Sequence, residues 1–69
     1  MFFKSEISNT IINGNLIHRV EIVNNEDENF TPCYDIVAYT LHRGIVMWRK
    51  YSKKDAVHCM SHFLSLLNS

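Results

Sequence analysis

The stretch from Ser52 to about Leu67 constrains this chain most, because it reads as one amphipathic helix with a marked start. The hydroxyl of Ser52 can accept from a free backbone N–H of the first turn. Asp55, three residues on, can reach back as a shortened capping box and suits the positive end of the helix dipole. Ala56, Val57, Met60, Phe63, Leu64 and Leu67 then follow the spacing of a single buried stripe. Lys54, His58, His62 and Ser65 occupy the opposite face. A helix with one apolar stripe must lie on something, and the preceding residues supply it.

Those residues alternate between β-rich runs and turn signals. Asn13-Gly14 suits the positive φ angles of a type I′ hairpin turn, with strand flanks Phe2–Ile12 and Leu16–Val23. Ser8, Asn9 and Thr10 interrupt the first flank, so a bulge or break is expected there. In the second flank, Leu16, His18, Val20 and Ile22 share the more apolar face. Asn24–Pro32 reads as a loop, with Pro32 at or before a strand start. Cys33–Leu41, a turn near His42-Arg43-Gly44, and Ile45–Tyr51 form a second hairpin. The expected fold is α+β: an antiparallel meander of three or four strands, with one C-terminal helix on one sheet face.

Sixty-nine residues suit one domain, 1–69, with a thin stability margin. At 46% hydrophobic residues the chain has ample apolar surface to fold. Cys33 and Cys59 allow at most one bridge, and the N-terminus lacks the pattern of a signal peptide. A cytoplasmic protein with reduced thiols is therefore expected, and no apolar run approaches a membrane span.

The zero net charge hides an asymmetry. Residues 1–32 set Lys4 and Arg19 against Glu6, Glu21, Glu26, Asp27 and Glu28, a net of −3. Residues 33–69 carry a net of +3, through Arg43, Arg49, Lys50, Lys53 and Lys54 against Asp35 and Asp55. Such a split can mark a functional face or internal pairing.

One helix covers one sheet face, and the last two strands are apolar on both sides. Ile36-Val37-Ala38-Tyr39 and Ile45-Val46-Met47-Trp48 should leave large side chains pointing away from the helix. Exposed apolar patches mark interfaces, where Trp, Tyr, Met and Arg are enriched. The expected partner-binding residues are Val37, Tyr39, Leu41, Met47, Trp48 and Arg49. They imply a small non-catalytic interaction module, accessory or inhibitor-like, that binds another protein or itself as a homodimer. Alternatively, the N-terminal segment with Phe2 and Phe3 folds back and covers this face.

The basic residues Arg43, Arg49, Lys50, Lys53 and Lys54 suggest a second function. The segment Arg49-Lys50-Tyr51-Ser52-Lys53-Lys54-Asp55-Ala56 resembles the strand-to-helix corner of the arm-site DNA-binding domains of phage-type integrases. That resemblance implies a three-stranded sheet with a C-terminal helix, laid in the major groove. This chain departs from the pattern in having an apolar sheet where those domains carry basic readers. Nucleic-acid binding through the corner is the alternative expectation.

Enzyme chemistry has little support. His58 and His62, one turn apart, have the spacing of a metal pair, but Cys59 points away from them. No base and orienting group accompany Cys59 as a nucleophile, and no glycine-rich phosphate loop occurs. No metal, cofactor, small-molecule substrate or catalytic residue is expected.

Overall fold

The computed structural model describes residues 1–69. In chain order the elements are β1 (Phe2–Lys4), β2 (Ile11–Asn13), a 3-10 turn (Gly14–Leu16), β3 (Arg19–Glu26), β4 (Pro32–Tyr39), β5 (Gly44–Lys50) and α1 (Lys53–Leu67). Strands β3, β4 and β5 form an antiparallel meander with β4 in the centre. Strands β1 and β2 form a separate antiparallel pair. The fold is α+β, with α1 packed on the three-stranded sheet.

The helix begins as its sequence dictates. Ser52 is extended, and its Oγ accepts from the Asp55 N–H at 3.1 Å. The bond returning from the Asp55 carboxylate is not made. Ser52→Ala should lower stability by about 1 kcal/mol and Tm by roughly 4–8 °C, read by thermal melting in circular dichroism. An unchanged Tm would show that water replaces the cap without loss.

The buried stripe is rotated from the expected one. Ala56 and Phe63 are fully buried, and Met60 and Leu67 are half-buried along the same spine. The flanking positions are Cys59 and Leu66, whereas Val57 and Leu64 are exposed. Trp48 accounts for the rotation. It lies edge-on to Phe63, with ring centroids 4.8 Å apart, and lines one groove wall with Cys59 and Leu66.

The N-terminal third departs most from expectation. Asn13-Gly14 makes no type I′ turn: Asn13 has φ −77° and no glycine has positive φ. The Asn13 side chain instead caps the 3-10 turn by accepting from the Asn15 N–H at 3.0 Å. Gly14 is needed for space, since a Cβ there would stand 2.8 Å from the Phe3 ring and 3.1 Å from Leu67. The chain reverses earlier, between β1 and β2, at the expected break, where Asn9 takes φ 55°. This small hairpin packs on the helix side of the sheet. Phe3 meets Phe63 edge-on at 5.0 Å, so Phe63 lies between Phe3 and Trp48.

Strand β5 contains a bulge. Ile36 opposes Trp48 and Val37 opposes Val46, which leaves Met47 without a partner. The apolar run of β5 is thereby accommodated: Ile45 and Trp48 face the helix, and Met47 is fully buried in the same core. The carbonyls freed at the bulge are used. The Glu6 N–H donates to the Met47 carbonyl at 2.9 Å, and the buried Ser5 hydroxyl donates to the Val46 carbonyl. Bulges bend the strand and re-aim its side chains.

Candidate functional site

The sheet face away from the helix is formed by alternate residues of three strands. Across it run the rows Arg19–Tyr39–Gly44, Glu21–Val37–Val46 and Val23–Asp35–Arg49. The N-terminal hairpin does not cover it, because Phe3 and Ile12 belong to the core on the other side. Nor is it an apolar slab. Met47 and Trp48, expected here, lie on the helix side, Met47 within the core and Trp48 half-buried against it. Of the expected interface residues, Val37, Tyr39 and Arg49 are on this face.

These three are themselves shielded or tied. Arg49 donates through Nε to Asp35 Oδ1 at 2.8 Å and through Nη2 to Oδ2 at 3.2 Å. Asn25 Nδ2 donates to Oδ2 at 3.0 Å, and the Cys33 thiol approaches Oδ1 at 3.7 Å. This cluster buries Cys33 and Asp35 on the central strand, at the end of the face nearest the β3–β4 loop. The Arg49 hydrogen bonds hold the Asp35 carboxyl below its ordinary range against the opposing effect of burial. Burial, then the nearby Asp35 charge, pushes the Cys33 thiol up, which makes it a poor nucleophile. Tyr39 lies under the Arg19 guanidinium, 4.0 Å from the ring centre, and over bare Gly44. The β3 edge of the sheet carries Arg19, Glu21 and Glu26, charges of the kind that discourage strand addition.

Two grooves flank this frame. The first, about 470 Å³, lies between β5 and α1. Trp48 and Phe63 line it, with Lys50, Glu6 and Asp55 as charges of both signs, and with Cys59, His58 and His62 along the helix. No three His, Cys, Asp or Glu side chains gather closely enough to share a metal ion. Cys59 is on the helix side of the sheet and Cys33 on the other, and both are free.

The second groove, about 450 Å³, opens where the β4–β5 turn meets the N-terminal hairpin. Its floor is the buried pair Ile12 and Ile45. Its walls are Ile11, Leu16 and Leu41, which are 66%, 59% and 79% exposed. Its charged or titratable residues are His18, His42 and Arg43, and no carboxylate lines it. Leu41 is held out because Thr40 closes the turn. The Thr40 N–H donates to the Arg43 carbonyl at 2.9 Å, and the Thr40 hydroxyl accepts from the His42 and Arg43 N–H groups at 3.3 Å.

Leu41 belongs to the interface expected from the sequence. Ile11 and Leu16 were missed, because Leu16 reads as an inward residue if β3 starts at position 16. The basic residues do not converge. Arg43 stands at the turn preceding β5, Lys50 closes the other end of β5 with Lys53 and Lys54 following it, and Arg49 is held by Asp35. No helix is long and apolar enough to cross a membrane. Comparison with protein-family models, with curated proteins and with solved structures finds no match to this chain.

Proposed function

We propose that this chain is a non-catalytic protein-binding module whose working surface is the groove between Leu41, Leu16 and Ile11. One observation carries the reading: three large aliphatic side chains, each more than half exposed, line one groove with a rim of His18, His42 and Arg43 and no acid. Exposed aliphatic side chains gathered in one place are a feature of interaction sites. The rim selects the partner's chemistry, an apolar side chain carried between carboxylates.

Short peptides with one phenylalanine or leucine between glutamates test this, against matched peptides with lysines in place of the glutamates. Binding is read from the methyl resonances of Ile11, Leu16 and Leu41. The acidic peptides should bind at least about ten-fold more tightly, a difference of about 1.4 kcal/mol. Leu41→Asp, which places a like charge in the groove at an exposed site, should abolish binding and leave the melting curve unchanged. Equal binding of both peptide sets, or none by either, would overturn the reading.

A further inference from the structure

The end of the sheet opposite the groove carries an unusual loop. Asp27 organises it. Its Oδ1 accepts from the Asn29 and Thr31 N–H groups at 2.8 and 2.9 Å, and its Oδ2 accepts from the Tyr51 hydroxyl at 3.0 Å. The Phe30 N–H closes the turn onto the Asp27 carbonyl at 3.0 Å. Phe30 then takes φ 63°, a left-handed conformation that glycine or asparagine adopts readily and a phenylalanine rarely. The ring is not buried in compensation: Phe30 is 80% exposed, more than any other large apolar residue in the chain. Glu26 and Glu28 stand beside it, exposed and in no ion pair.

A strained backbone that displays a bare aromatic ring among acids does nothing for the stability of one molecule. It matches what the groove at the other end selects, an apolar side chain between carboxylates. The two features occupy opposite ends of the sheet, so one chain cannot satisfy both within itself. We infer that the partner is a second copy of this chain, with the Phe30 ring of one molecule seated between Leu41, Leu16 and Ile11 of the next. Glu26 and Glu28 then face Arg43, His18 and His42. One such contact leaves one free tip and one free groove, so the chains close as a reciprocal pair or a larger ring, or run on as open chains. This inference rests on the groove reading above and adds the identity of the occupant.

Sedimentation and light scattering across concentration supply the test. The wild-type mass should rise with concentration above that of one chain, to a reciprocal dimer or beyond. Phe30→Gly should hold the mass at one chain while raising Tm by about 5 °C, because glycine relieves the strained turn. Leu41→Asp should also stay monomeric. Mixing the two variants restores one interface only, the Leu41→Asp tip in the Phe30→Gly groove, so the mixture should stop at a one-to-one dimer. A monomeric wild type at about 1 mM, or a Phe30→Gly variant that still associates, would overturn the inference. A mixture that stays monomeric would overturn it too. If the wild type is monomeric yet acidic peptides still perturb the Leu41 methyls, the self-partner falls and the groove reading stands. If neither occurs, both fall.

Discussion

Phe63→Ala should leave the chain largely unfolded at room temperature. The ring is fully buried in the helix stripe and meets Phe3 and Trp48 edge-on, at 5.0 and 4.8 Å. It therefore joins three segments that no local preference would bring together: the N-terminal hairpin, the bulged strand β5 and the helix. Phenylalanine-to-alanine changes in cores cost about 3–5 kcal/mol. A domain of this length has roughly 3–10 kcal/mol in total, so the loss is comparable to the whole. The near-ultraviolet signal of Trp48 should collapse, and the urea transition should broaden or vanish. Phe63→Leu keeps most of the volume and should fold, at a cost of about 1–2 kcal/mol. An alanine variant that melts cooperatively with a loss below about 1 kcal/mol would show that the hairpin and sheet do not depend on this ring.

The central place of Phe63 helps explain which parts of the molecule are legible from sequence. The start of the helix is legible because capping is local: Ser52 needs only the backbone three residues ahead. The β4–β5 hairpin and the start of β4 at Pro32 are legible for the same reason. The bulge at Met47 is not. Both faces of β5 are apolar, so side-chain pattern cannot choose its register. The choice is made by Ser5 and Glu6, about forty residues away, whose hydrogen bonds take the Val46 and Met47 carbonyls. Met47 and Trp48 consequently read as the open sheet face from the sequence, whereas Met47 is core in the molecule and Trp48 packs half-buried against that core on the helix side. Asn13-Gly14 fails for a related reason. Its turn preference is real, but the tight approach of Phe3 to Gly14 decides the path.

The candidate interface is legible in part. Leu41, expected as the last residue of a strand, lies inside the turn that Thr40 and Arg43 close, and an apolar residue there has no inward place to go. Ile11 and Leu16 join it only through the path of the N-terminal hairpin. Phe30 did carry a signal, a lone aromatic residue in a loop of asparagines and acids. Its left-handed backbone follows from the way Asp27 gathers the turn, which composition does not reveal.

Arg49→Met should reverse the effect of mild acid on stability. In the wild type, Asp35 is buried and accepts two hydrogen bonds from Arg49 and one from Asn25, which hold its carboxyl below the ordinary value of 3.8. On acidification the unfolded chain takes up the proton first. The stability contributed by this group is therefore complete at neutral pH and is lost as pH falls below about 5 and on through the folded value. Asp27, lowered by the Thr31 and Asn29 N–H groups, acts in the same direction. Without Arg49, burial is the largest single influence left on Asp35 and should raise its carboxyl against the weaker hydrogen bonds from Asn25 and Cys33. The folded chain then takes up the proton first, so lowering the pH from 7 toward 5 should stabilise the variant. At pH 7 the variant should lose about 2–4 kcal/mol. That is somewhat less than breaking a fully buried pair, because the Arg49 side chain is 23% exposed and solvent can partly reach the stranded carboxylate. Replacing both partners, Asp35→Leu with Arg49→Met, should recover most of that loss, since neither desolvated charge remains. Urea denaturation of the three proteins at pH 5, 6 and 7 reads all of this. A single variant whose stability falls between pH 7 and pH 5 would show that Asn25 and the Cys33 thiol hold Asp35 ionised on their own.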